Sequence, residues 1–101
     1  MREDEYLNDL FGCSGRKAIV TGASSGLGAE ISRALVCAGA KVIGVARRKT
    51  QLNKLQVELN DASGKFIPCV ANLSSESGIK QVVTDANNLG GCDIVVANAG
   101  T

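Results

Sequence analysis

The stretch Lys17-Ala18-Ile19-Val20-Thr21-Gly22-Ala23-Ser24-Ser25-Gly26-Leu27-Gly28 joins two different periodicities. Residues 17–21 form a short apolar, partly β-branched run that Gly22 breaks, which reads as a buried strand. Beyond the loop, Leu27, Ile31, Ala34, Leu35 and Ala38 recur at helical spacing and predict one apolar stripe. The glycines between them fall as G-x-x-x-G-x-G. Gly22 permits a tight turn off the strand, Gly26 lets the backbone come close to a bound group, and Gly28 lets the helix pack against the sheet. A helix that starts here turns free N–H groups and a positive dipole end toward whatever sits above the loop, a fitting seat for phosphate. Ser24 and Ser25 can add hydroxyl donors. The loop is not a P-loop, because Ala29-Glu30 follows Gly28 where that motif needs Lys and then Ser or Thr.

Outward from this loop the alternation continues. Lys41 to Ala46 reads as a second strand, and Leu52, Leu55 and Leu59 mark a helix that Thr50 can cap. Phe66-Ile67-Pro68-Cys69-Val70 is a third strand whose proline suits a sheet edge. Ile79, Val82, Val83, Ala86 and Leu89 stripe a third helix opened by Ser74 or Ser75, and Asp93 to Ala97 is a fourth strand. Apolar strands separated by amphipathic helices predict an α/β fold with a parallel, doubly wound sheet of Rossmann type. Right-handed crossovers around a central first strand give the order 3-2-1-4. Residues 1–15 form a polar arm, and residues 16–101 a partial nucleotide-binding domain. The fourth strand would lie at one side of this sheet with an open edge, and one face would be covered by the third helix alone.

Composition narrows the class. The chain has 101 residues, 45% of them apolar, and a formal charge of +1, which gives no reason to expect a nucleic acid or membrane partner. It contains no histidine, and its cysteines, Cys13, Cys37, Cys69 and Cys92, form no C-x-x-C pair, which argues against a zinc site. Reduced thiols in a cytoplasmic protein are the expectation. The acidic start, Met1-Arg2-Glu3-Asp4-Glu5, lacks an apolar stretch behind it and does not read as a secretory signal.

The end of the second strand carries the choice of ligand. Dinucleotide-binding folds that take NAD(H) place Asp or Glu there to hold the ribose 2′-hydroxyl. Ala46 occupies that place and Arg47-Arg48 follow. No carboxylate repels a 2′-phosphate, and a guanidinium can clamp one through paired charge-assisted hydrogen bonds. The reading is NADP(H) over NAD(H).

With these residues in hand, the chain resembles the short-chain dehydrogenase/reductase family from about Leu10 to Thr101. Thr21 to Gly28, Ala46-Arg47-Arg48, Asn72-Leu73-Ser74 and Asn98-Ala99-Gly100 carry the resemblance. It implies cofactor contacts at Gly22, Ala23, Ser24, Ser25, Gly26, Leu27, Gly28, Arg47, Arg48, Asn72, Leu73, Asn98, Ala99 and Gly100. The family usually has Asp at the place of Asn72, where it accepts a hydrogen bond from the adenine amino group. An amide oxygen can still accept, so a weaker adenine contact is expected. The backbone at Leu73 would face the adenine as well. Asn98 would lie beside the cofactor ribose and brace the central sheet.

The resemblance further implies an oxidoreductase that interconverts a small carbonyl compound and an alcohol by hydride transfer, from a homo-oligomeric parent. Family enzymes carry a catalytic Ser and a Y-x-x-x-K pair beyond the Asn-Ala-Gly motif. The only tyrosine here is Tyr6, with Leu10 four places on, so no catalytic residue can be assigned. The 101 residues alone are expected to be inactive, as the cofactor-binding portion of a longer enzyme. The alternative is a non-catalytic nucleotide-binding or interaction module. A methyltransferase fits less well, since it wants an acidic residue where Ala46 stands.

Overall fold

The computed structural model describes residues 14–24 and 26–98. Strands β1 (Lys17–Thr21), β2 (Lys41–Ala46), β3 (Lys65–Val70) and β4 (Ile94–Val96) alternate with helices α1 (Gly26–Cys37), α2 (Lys49–Glu58) and α3 (Glu76–Leu89). The strands form one sheet in the order β3-β2-β1-β4, and all three pairings are parallel. This is the doubly wound Rossmann-like arrangement expected from the alternation of patterns. β1 and β2 align from Lys17 opposite Lys41 to Thr21 opposite Val45, so both strands end beneath the glycine loop. β3 takes the outer place beside β2, with Pro68 opposite Gly44. A strand bonded on one side is where a residue without an N–H does least harm.

The two faces of the sheet are covered differently. Ala18, Val20, Val42 and Phe66 point to one face, where Ala29 and Val36 of α1 and Leu52 and Leu55 of α2 complete a buried cluster with Leu59 just beyond α2. Ile43, Val45, Cys69 and Ala71 form the cluster on the other face, flanked by Val82, Ala86 and Leu89 at the α3 side. On the first face Arg33 of α1 pairs with Glu58 of α2. The guanidinium holds that carboxyl below the usual range, though an exposed pair of this kind adds little stability.

Three local expectations are corrected. The buried stripe of α1 is Gly28, Ala29, Ser32 and Val36, one position on from the predicted Leu27, Ile31 and Leu35. Leu27 is 65% exposed. The helix comes so close to the loop and the sheet that its inner face must be lined by small residues, and the larger Ile31 and Leu35 flank it, half buried. Ser32 fits there because its hydroxyl donates to the Gly28 carbonyl at 2.9 Å.

Thr50 does not cap α2. Arg48 stands at the N-cap with extended backbone and no side-chain capping bond. Burial of Leu52, Leu55 and Leu59 against the sheet, rather than capping chemistry, fixes where this helix begins. The third helix is opened by Ser75, whose hydroxyl accepts the Gly78 N–H at 3.0 Å. Its predicted stripe is only partly buried, because Ile79 and Val83 are half exposed.

Candidate functional site

The C-terminal ends of β1, β2 and β3, where open α/β sheets bind ligands, meet at the glycine loop. Gly22 and Gly26 take left-handed backbone, with φ of 65° and 57°, a region that other L-residues rarely adopt. Among the described residues, a side chain on Gly26 would meet nothing within 4 Å. Gly28 is the opposite case. A Cβ there would lie 1.9 Å from the Gly22 carbonyl oxygen and 2.9 Å from Asn98 Nδ2. The close approach at Gly28, expected toward the sheet, is to the loop carbonyl and to Asn98.

Ala23 departs from the expectation of a cofactor contact. It is fully buried and its N–H donates to Val45 O at 3.1 Å, which ties the loop to β2 instead of offering a donor to a ligand. Ser24 is half buried, while Gly26 and Leu27 are exposed. Ser25, Ala99 and Gly100 lie outside the described residues, as do Tyr6 and Leu10.

Asn98 closes the floor of the site. Its backbone N–H donates to Thr21 Oγ1 at 3.0 Å, and its side-chain Nδ2 donates to Gly22 O at 3.4 Å. Thr21 Oγ1 in turn donates to Val96 O at 3.5 Å. This clasp fastens the end of β4 to β1 and to the glycine loop. Thr21 opens the motif that carries the resemblance, but the sequence reading gave its side chain no role of its own. The available signal was a hydroxyl on the last strand position before the first glycine.

A cavity opens between the ends of β2 and β3, lined by Gly22, Val45, Ala46, Arg47, Ala71, Asn72, Leu73 and Ser74. It brings together Gly22, Arg47, Asn72 and Leu73, which are far apart in sequence. Arg48 is not part of its lining. No carboxylate lines it. Val45, Ala46 and Ala71 supply apolar groups to its lining, and Arg47, Asn72 and Ser74 supply polar ones. The loop below it is held by local bonds: Asn72 Oδ1 accepts the Ser74 N–H at 2.9 Å. The Asn72 carbonyl accepts both the Ser75 N–H at 3.1 Å and the Ser75 hydroxyl at 2.9 Å.

Among the described residues no cluster of His, Cys, Asp or Glu could hold a metal ion, and no helix is long and apolar enough to cross a membrane. Cys37, Cys69 and Cys92 are free thiols. Cys69 lies buried beneath α3, and burial, reinforced by the Asp85 carboxyl, pushes its pKa up to about 12. It is far from a reactive thiolate.

Known proteins share this arrangement. "Dehydrogenase/reductase SDR family member 11" of Gallus gallus is 42% identical over 90 residues, covering 86% of this chain and 35% of that protein. L-Sorbose reductase from Gluconobacter frateurii, solved with NADPH and L-sorbose, superposes with a TM-score of 0.81 at 32% identity, over 87% of this chain and 34% of that one. A metagenomic short-chain oxidoreductase solved with NADP gives a TM-score of 0.80 at 38% identity, over 87% and 40% of the two chains. The chain spans about a third of the length of the curated relatives it matches. The family description "short chain dehydrogenase" matches residues 16–101. With the glycine loop, the Asn98 clasp and the β3-β2-β1-β4 sheet in agreement with that match, this chain belongs to the short-chain dehydrogenase/reductase family.

Proposed function

We propose that residues 16–101 bind NADP(H) and form the cofactor-binding portion of an oxidoreductase that interconverts a small alcohol and a carbonyl compound. The observation that carries the choice of NADP(H) is the cavity at the end of β2, which Arg47 lines and no carboxylate enters. NADPH in the Gluconobacter frateurii structure and NADP in the metagenomic one add support. The fit of the cofactor rests on the loop: left-handed glycines at Gly22 and Gly26, room for a side chain at Gly26 among the described residues, and the close approach at Gly28 that any Cβ would block.

In this reading Gly26, Leu27 and the hydroxyls of Ser24 and Ser25 receive the pyrophosphate, Arg47 with Arg48 neutralises the 2′-phosphate, and Asn72 with Leu73 borders the base. Asn98, with Ala99 and Gly100, supports the ribose side and holds the loop to the sheet. When bound, the nicotinamide would donate or accept hydride. No Tyr-x-x-x-Lys pair occurs in the 101 residues, so the group that exchanges the proton at the substrate oxygen is not among them.

Equilibrium titration with NADPH and NADH tests the reading. NADPH should bind about ten- to a hundredfold more tightly, the effect of a charge-assisted contact, and Arg47→Ala should remove most of the difference. Equal affinities in the unmutated protein would overturn the preference for NADP(H). Failure to bind either cofactor would overturn the whole proposal.

A further inference from the structure

Gly78 lies in the first turn of α3 and is not among the glycines whose φ is positive. A glycine weakens a helix relative to alanine, so the reason for one here is space and not backbone conformation. That space is taken by the turn after β3. A Cβ on Gly78 would overlap the Asn72 carbonyl oxygen and lie 2.7 Å from the carbonyl carbon and 3.0 Å from the Asn72 nitrogen. Gly78 is also the buried residue of α3. Hydrogen bonds close the same contact. The Asn72 carbonyl accepts the Ser75 N–H at 3.1 Å and the Ser75 hydroxyl at 2.9 Å, and the Gly78 N–H donates to that hydroxyl oxygen at 3.0 Å. Asn72, Ser75 and Gly78 thus form one closed unit of backbone, with room at Gly78 for a hydrogen atom and no more.

This unit carries part of the cavity. Gly22, Ala46 and Arg47 belong to the lining at the ends of β1 and β2, whereas Asn72, Leu73 and Ser74 are carried on the turn. The place of the turn depends on how closely α3 approaches. Beyond Gly78 the helix meets the sheet through the half-buried Val82, Ala86 and Leu89, while Ile79 and Val83 face water. Resting on the cofactor reading above, we infer that Gly78 is a positioning residue for the cofactor cavity: it locks residues 72–74 to the first turn of α3, so that ligand occupancy and the docking of α3 on the sheet are linked. A group bound against the turn holds the helix down, and a helix lifted from the sheet takes part of the cavity wall with it. The two effects are reciprocal, as linked equilibria require.

The test uses the full chain, Gly78→Ala, and Val83→Ala as a control on the outward side of the same helix. Two ligands are titrated at a temperature where circular dichroism shows each protein folded. They are NADPH and adenosine 2′,5′-bisphosphate, which keeps the base and the 2′-phosphate and lacks the nicotinamide. A purely structural role for Gly78 would lower the melting temperature and leave both affinities unchanged under those conditions. A displaced cavity wall should instead weaken both ligands alike, by about two- to tenfold, the scale of one hydrogen bond pulled from its partner. Val83→Ala should bind both as the unmutated protein does. Unchanged NADPH affinity in folded Gly78→Ala, a loss confined to NADPH, or an equal loss in Val83→Ala overturns the inference and leaves the cofactor reading standing. Amide hydrogen exchange of the unmutated protein decides the matter if Gly78→Ala does not fold. Saturating NADPH should slow exchange at residues 82–89 of α3, beyond the cavity lining, by a larger factor than at residues 55–58 of α2. An equal or smaller factor at α3 overturns the inference. If NADPH does not bind the unmutated chain, the cofactor reading fails and the inference fails with it.

Discussion

On one face of the sheet, α1 and α2 lie side by side, and Val20, Val42, Leu52 and Phe66 are sealed between helix and strand. On the other, α3 covers β2 and β3, where Ile43, Val45 and Cys69 are buried. There Ile79 and Val83 of α3 are 50% and 53% exposed, and Val95 of β4 is 67% exposed. Val95 pairs in register with Ile19, so it belongs to this second face, on the side away from α3. The hydrophobic effect scales with apolar surface removed from water, so equal side chains on the two faces hold the fold together very unequally. The glycine loop is built on the sealed face. Its positive-φ glycines and the 1.9 Å approach at Gly28 need a scaffold that does not yield, and α1 packed beside α2 provides it.

The sharpest way to break this comparison is a matched pair of truncations. Leu52→Ala empties a fully buried site and should cost about 2–5 kcal/mol of unfolding free energy. Val83→Ala removes a half-exposed side chain and should cost under about 0.5 kcal/mol. Urea denaturation of both variants reads the difference. A Val83→Ala cost close to that of Leu52→Ala would mean that the second face is covered in solution by a further segment or a second copy.

A somewhat smaller effect is expected from crowding the sealed face. Gly28→Val drives a branched side chain into the Gly22 carbonyl and Asn98, and overpacking of this kind costs about 1–3 kcal/mol. Because the displaced atoms belong to the glycine loop, NADPH affinity should fall together with the melting temperature. A variant that melts normally and binds normally would show that the loop does not need the observed approach.

Near neutral pH the smallest effect concerns the covered part of the second face. The folded pKa of Cys69, about 12, stands above its ordinary value of 9.0. The folded state therefore holds this proton more tightly than the unfolded state does. Its contribution to stability is complete below about pH 9 and is lost as pH rises toward 12. Thermal melts across that window should show a steeper decline for the unmutated protein than for Cys69→Ala. At pH 8 an alkylating reagent should label the exposed Cys92 and leave Cys69 unmodified while the protein is folded. Parallel pH profiles, or equal labelling, would show that α3 opens readily and that the second face is looser than its buried residues imply.

The order of strands and helices, the parallel sheet, the edge position of β3 with its proline and the Leu52-Leu55-Leu59 stripe were legible in the sequence. Each follows from local periodicity and from the chirality of crossovers, which act along the chain. The glycine loop and Arg47 could be placed on the same grounds. What only the tertiary structure decided depends on how closely distant segments approach. The face of α1 turned inward is set by Gly28 and Ser32, because contact with the loop admits only small side chains, whereas a count of apolar residues favoured Leu27. The clasp from Asn98 to Thr21 and Gly22 spans more than 70 positions of chain. The seal on Ala23 is a bond to Val45. The turn after β3 is fixed by the Asn72 side-chain oxygen accepting the Ser74 N–H, a contact that its residue type alone leaves open.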